Sequence, residues 1–265
     1  MTNKQQLIDD LNALRHRSPL VHNITNYVVM NSTANALLAI GASPVMAHSM
    51  REVKDMVGIA SALVINIGTL SEEWVGAMLK GGKAARKRGI PIVFDPVGVG
   101  ATPYRNAVAA KIVKKCKPNI IRGNASEIMA LANENATTKG VDSTATSDSA
   151  LGAAQRLAIE TGSVVVISGE IDLITDGTNV QSVKNGSPLM PKVTGLGCTA
   201  TALIGAFAAI NPNYMAAATS AMAAMGVAGE LAAQKSEGPG TMQQNFIDAL
   251  YNLSPQTLAD NAKIE

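Results

Sequence analysis

Apolar positions in the first two thirds of the chain switch repeatedly between two rhythms. Short unbroken apolar runs alternate with longer stretches in which apolar side chains recur every three or four residues. The runs at 62–67, 91–94 and 164–167 have the character of strands buried on both faces of a parallel sheet. Further strands are predicted over 19–26, 42–47 and 119–121. The helical rhythm covers 4–17, where Leu7, Ile8, Leu11 and Leu14 share one face. It returns over 27–40, from Ser49 onward, and over 71–88, 103–115, the residues up to Leu131, and roughly 148–161.

Punctuation agrees with this reading. Asn26 and Ser71 are placed to cap helices at their N-termini, and Gly41 and Gly89 to end them. The stretch from Asn133 to Ser149 is rich in Thr, Ser, Asn and Asp and reads as a loop. Two short runs, 171–175 and 179–184, flank Asp176-Gly177 as a hairpin. The C-terminal third is mostly helical. Strand and helix alternate at least five times, without a repeat or a linker. The expected fold is therefore α/β: one domain over 1–265, with a mainly parallel central sheet, helices on both faces and antiparallel strands at one edge.

In an open α/β sheet, ligands collect at the carboxyl ends of the strands. This reading puts the segment from Asn23 to Asn26 there, with Asn66, Asp95, the segment from Arg122 to Glu127, and Ser168. The stretch Val193-Thr194-Gly195-Leu196-Gly197-Cys198-Thr199 joins them and leads into the helix formers from Ala200 to Ala209. A helix opening there leaves backbone N–H groups unpaired from Gly195 to Cys198, and the glycines let a phosphate approach them. Cys198 then stands at the mouth of an anion hole, where the helix dipole is expected to lower its thiol pKa. Asp95 and Glu127, at the ends of neighbouring strands, are a suitable pair for Mg²⁺ beside phosphate oxygens. With Arg122 nearby, the set matches phosphoryl transfer.

Plainer roles stand beside these. The glycine turn could simply lead into a buried helix, with Cys198 as a small core residue. Asp95 and Asn124 could cap turns, Glu127 could complement a helix dipole, and Arg122 could serve a structural ion pair. His22 and His48, flanked by apolar residues, fit packed or hydrogen-bonded positions better than catalytic ones. The joint placement of the polar set at strand ends favours chemistry. No GxxxxGK[ST] loop occurs, and no GxGxxG follows the first strand.

Composition narrows the classes. Aromatic residues are 3% of the 265, too few to stack bases, which argues against nucleic-acid binding. Acidic residues number 20 and basic ones 22, giving a net charge of +2 with the basic residues scattered. Cys116 and Cys198 form no pair motif, which suits a reducing compartment. The apolar stretches 27–47 and 198–234 carry polar interruptions and few leucines, so buried helices are expected and a membrane role is not. The polar N-terminus does not look like a signal peptide, and a cytoplasmic location is expected.

Three segments then carry a resemblance: Asp95-Pro96-Val97-Gly98-Val99-Gly100-Ala101, Asn124-Ala125-Ser126-Glu127, and Gly195-Leu196-Gly197-Cys198. Together with Asn23-Ile24-Thr25-Asn26 and the stretch from Ala42 to Ala47, they resemble the hydroxyethylthiazole kinases of the ribokinase-like superfamily. The likeness runs in order from about residue 19 to 240. It implies ATP-dependent phosphorylation of the alcohol of 4-methyl-5-(2-hydroxyethyl)thiazole in thiamine salvage. It also implies thiazole contacts at Met46, Gly195 and Asn26, and ATP contacts at Arg122, Ser168 and Thr194. Asp95 and Glu127 are implied to serve Mg²⁺ and the phosphates, and Cys198 to stand where many relatives carry an Asp base. Homotrimers with active sites between subunits are implied as well. Two other readings stay open: a kinase for another small alcohol on the same fold, and a vitamin- or nucleotide-binding regulator without turnover.

Overall fold

A computed structural model describes residues 2–135 and 147–265. Six strands run parallel: β1 (Leu20–Ile24), β2 (Ser43–Val45), β3 (Ala62–Asn66), β4 (Ile92–Asp95), β5 (Ile120–Asn124) and β6 (Val164–Ser168). Two more, β7 (Asp172–Thr175) and β8 (Val180–Val183), continue the sheet antiparallel. The order is β2-β1-β3-β4-β5-β6-β7-β8, with the antiparallel pair at one edge as the sequence pattern predicts. Alternate residues of each central strand face opposite layers. Val64, Val93, Ile120 and Val166 enter one core, while Ile65, Phe94, Ile121 and Val165 enter the other. That is why these runs lack a polar alternate.

The first core is covered by α1 (Lys4–Arg17), α2 (Met30–Ile40), α8 (Leu196–Ala208), α9 (Tyr214–Ala233), α10 (Pro239–Asn252) and α11 (Pro255–Asn261). The second is covered by α3 (Val53–Ile59), α4 (Glu72–Arg88), α5 (Pro103–Cys116), α6 (Ala125–Asn135) and α7 (Ser147–Thr161). Ser71 caps α4 by accepting the Trp74 N–H, and Gly89 ends it with φ +77°. The helix α9 is long and apolar enough to cross a membrane by length and composition, yet it is mostly buried against α8, α10 and the β7–β8 edge. Gly205 lets α8 press onto the sheet, since a Cβ there would stand 2.7 Å from a Val64 methyl. The close approach brings the start of α8 to the carboxyl ends of β3 and β4.

Several boundaries move. The second helix begins at Met30 and not at Tyr27, and Asn26 does not cap it, because the Asn26 side chain is committed elsewhere. The third begins at Val53; Ser49 instead accepts the Arg51 N–H in a turn before it. Helix also takes more of the polar stretch 133–149 than composition predicts, since α6 reaches Asn135 and α7 starts at Ser147. The remainder of that expected loop, 136–146, lies outside the described residues.

Candidate active site

Strand register assembles the site. Asn66, the last residue of β3, stands opposite Asp95, the last of β4, and Asn124 of β5 opposite Ser168 of β6. Asp95 is fully buried. Its Oδ2 accepts the Asn66 Nδ2–H at 2.8 Å and the Thr201 hydroxyl of α8 at 2.8 Å. Its Oδ1 is buried with no donor among the described residues. Burial pushes the Asp95 carboxyl up to about 6; Arg122 and the Thr201 hydroxyl pull it back, and Glu127 adds to the rise. Arg122 Nη1 lies 3.9 Å from Asp95 Oδ2, and Nη2 donates to the Ser168 hydroxyl at 2.5 Å. Arg122 Nε is buried without a partner among the described residues.

The helix α8 faces these groups. Gly195 precedes it at φ +86°, a conformation that favours glycine, and a Cβ there would meet Val29 at 2.7 Å. The first intrahelical acceptor is Gly195 O, taken by Thr199 N–H, so the N–H groups of Leu196, Gly197 and Cys198 have none within the helix. Gly195, Gly197 and Cys198 line, with Asp95, Arg122, Asn124 and Glu127, a cavity of about 250 Å³, whereas Leu196 borders a separate recess. Glu127 sits in the first turn of α6 in a reciprocal cap: Asn124 Oδ1 accepts its N–H, and its Oε2 accepts that of Asn124, both at 2.9 Å. Its Oε1 accepts the Gly98 N–H at 2.9 Å, tying α6 to the turn after β4. Asn124 therefore does the capping expected of it, and Glu127, in the first turn where it complements the dipole, caps in return, while both line the cavity.

The Cys198 thiol is a correction. Burial and the nearby Asp95 carboxylate push it up to about 11, against weaker opposite pulls from the Asn66 and Asn26 amides and Arg122. A lowered pKa was expected from the helix start; desolvation and a like charge outweigh the dipole here. Asn26 donates to Cys198 Sγ at 3.6 Å and to Asn66 Oδ1 at 2.8 Å.

Asp95, Glu127, Arg122, Gly195, Gly197 and Cys198 thus share one cavity, with Asn26 and Ser168 in direct contact with its residues. Met46, just past the edge strand β2, is not part of its lining. Thr194 is exposed and borders a separate recess of about 10 Å³ beside Ser32 and Phe246. Two further residues, Thr201 and Asp172, join the strand-end Asn66 around this cavity. Thr201 is one helical turn beyond Cys198, a spacing that could have found it. Asn66 was visible only as a strand end, and its partners depend on register. Asp172 heads the antiparallel strand β7, where burial pushes its carboxyl up to about 6 while the Gly169 N–H and Arg122 pull it down.

For Mg²⁺, no cluster of three or more His, Cys, Asp or Glu exists among the described residues. An all-protein cage is therefore absent from them. The donor-free Asp95 Oδ1 in a phosphate-sized cavity fits a hard cation that takes most of its oxygens from phosphates and water.

Fold and site together define a small-molecule kinase: a doubly wound sheet with a glycine-led helix start, an arginine and a buried carboxylate in one cavity. The profile of the Hydroxyethylthiazole kinase family matches residues 11–256. Hydroxyethylthiazole kinase of Syntrophus aciditrophicus is 57% identical over 95% of this chain and 94% of its own, and that of Leptospira biflexa is 56% identical over 97% of each. The structure of the hydroxyethylthiazole kinase protein from Pyrococcus horikoshii superposes with a TM-score of 0.92 at 40% identity, covering 98% of both chains. The chain belongs to the hydroxyethylthiazole kinase family. An ADP complex of Bacillus subtilis pyridoxal kinase shares the fold at 16% identity, with a TM-score of 0.58 over 77% of this chain and 88% of that one.

Proposed function

We propose that the chain transfers the γ-phosphoryl group of ATP to the hydroxyl of 4-methyl-5-(2-hydroxyethyl)thiazole. The observation that carries this reading is the convergence of the α8 start, Arg122 and the donor-free Asp95 oxygen on one cavity in a member of this family. The substrate oxygen forms a bond to the γ-phosphorus, the bond to the bridging oxygen breaks, ADP leaves with that electron pair, and the alcohol proton is released to water. The N–H groups of Gly197 and Cys198 receive the phosphoryl oxygens as charge shifts. Arg122, steadied by Ser168, presents its guanidinium to the phosphates. Asp95 would hold Mg²⁺, with Glu127 nearby, and the cation would neutralise phosphate charge. A loose transition state needs little base assistance. The thiol, held protonated, therefore orients the alcohol more than it deprotonates it.

The thiazole ring lies on the Asn26 side, where Tyr27 and Val28 are exposed. The same reading includes a homotrimer that covers this surface and brings Met46 to the ring, and a cytoplasmic setting that suits two free thiols. A coupled ADP-release assay across the thiazole alcohol, hydroxymethylpyrimidine and sugars tests it. Selective turnover of the thiazole supports the reading, and binding without turnover of any alcohol overturns it.

A further inference from the structure

Asn66 is almost wholly buried (1% exposed), and all its polar atoms have partners. The direction of its amide is fixed by a group that can only donate. Gly68 N–H reaches Asn66 Oδ1 at 2.9 Å, so the oxygen must lie on that side and Nδ2 must face Asp95. A second such group fixes Asn26: Val28 N–H reaches its Oδ1 at 3.1 Å, so its Nδ2 must face Asn66 and Cys198. The two amides form a one-way chain of donors from Asn26 through Asn66 to Asp95 Oδ2. Thr201 closes the chain from the helix side at the same oxygen. Asp95 Oδ1 is thereby the oxygen left without a donor. A Cβ at Gly68 would lie 2.5 Å from Asn26 Nδ2, so the turn after β3 is packed against this chain and leaves it little freedom to reorganise.

We propose that Asn66 is a positioning residue of this site: its locked amide occupies one oxygen of Asp95, keeps the other free for a cation, and couples that choice to the Cys198 side through Asn26. The inference rests on the proposed kinase reading. Partners that orient a metal-binding carboxylate typically contribute about 10- to 100-fold to metal affinity or activity.

The test is calorimetric binding of ADP with and without Mg²⁺ to the full chain, together with kcat and KM. Asn66→Asp keeps the shape and the Gly68 contact but turns an acceptor toward Asp95. It is expected to stay folded, to lose about tenfold of the magnesium-dependent tightening of ADP binding, and to lower kcat more than it raises the KM for the alcohol. Asn66→Ser, which shortens the side chain and withdraws the donor, is read in the same way if the first variant fails to fold. A folded variant with wild-type magnesium dependence overturns the assignment, as does a wild type whose ADP binding ignores magnesium. If the wild type turns over none of the alcohols, the kinase reading fails, while the binding comparison still decides the role of Asn66.

Discussion

The guanidinium of Arg122 lies against Gly197: a Cβ at Gly197 would stand 2.9 Å from Nη1. The start of α8 and the end of β5 are therefore fitted to each other, and the fit is made at the end of a flexible side chain. Gly197→Ala is expected to displace the guanidinium without unfolding the protein, because Ala is the better helix former by about 1 kcal/mol. Apparent KM for ATP should rise by about tenfold, the equivalent of one charge-assisted hydrogen bond, while the melting temperature holds or rises. A falling melting temperature with unchanged ATP kinetics would show that the contact is only structural.

Arg122→Ala should raise the ATP requirement more than the thiazole requirement, since the guanidinium faces the anion site and Asp95. Steady-state kinetics with each substrate varied in turn check this. A larger effect on the alcohol would move Arg122 out of the nucleotide site.

Asp95 sets function against stability. Its folded value near 6 exceeds the ordinary 3.8, so the stability it supports is full below about pH 4 and is lost as pH rises through about 6. That difference corresponds to about 3 kcal/mol. Asp95→Asn keeps an acceptor for Asn66 and Thr201 and removes the buried charge. In metal-free buffer its unfolding free energy should match wild type near pH 4 and exceed it above about pH 6 by about 1–3 kcal/mol, read as a higher melting temperature. Turnover should be largely lost at every pH. A variant less stable than wild type at pH 8 would contradict the assignment of a desolvated carboxylate.

With Cys198 pushed up to about 11, its alkylation by iodoacetamide should be slow at neutral pH and climb without a plateau through pH 9. Cys198→Ala should lower turnover by about tenfold or more while leaving a measurable rate, because the helix-start amides remain. Cys198→Asp, similar in reach and hydrogen-bonded by Asn26 and Asn66, should keep more activity than the Ala variant. Equal inactivity of the two folded variants would point to chemistry specific to sulfur.

Glu127 bridges the Asn124 and Gly98 amides, so Glu127→Ala leaves two N–H groups without acceptors. A loss of about 1–3 kcal/mol is expected, visible as earlier thermal unfolding together with reduced turnover. If activity falls with no change in melting temperature, the carboxylate matters for the cation alone.

Rhythm and punctuation in the sequence determined the layered α/β fold, the antiparallel edge and most helix limits. Buried strands must be apolar on both sides, and capping side chains act within a few residues of themselves. The glycine-led helix start and the strand-end acids were legible for the same reason: each is local. Tertiary structure alone decided what those groups do to one another. Asn26 looked like a cap, and only the approach of β3 made its amide a donor to Asn66. Cys198 looked activated by its helix, and only the packing of α8 over Asp95 reversed the direction of its pKa. Asp172 and Thr201 reached the cavity's neighbours through strand order and helix docking. Desolvation and hydrogen-bond direction depend on residues that are close in space and far apart in sequence, and no pattern along the chain encodes them.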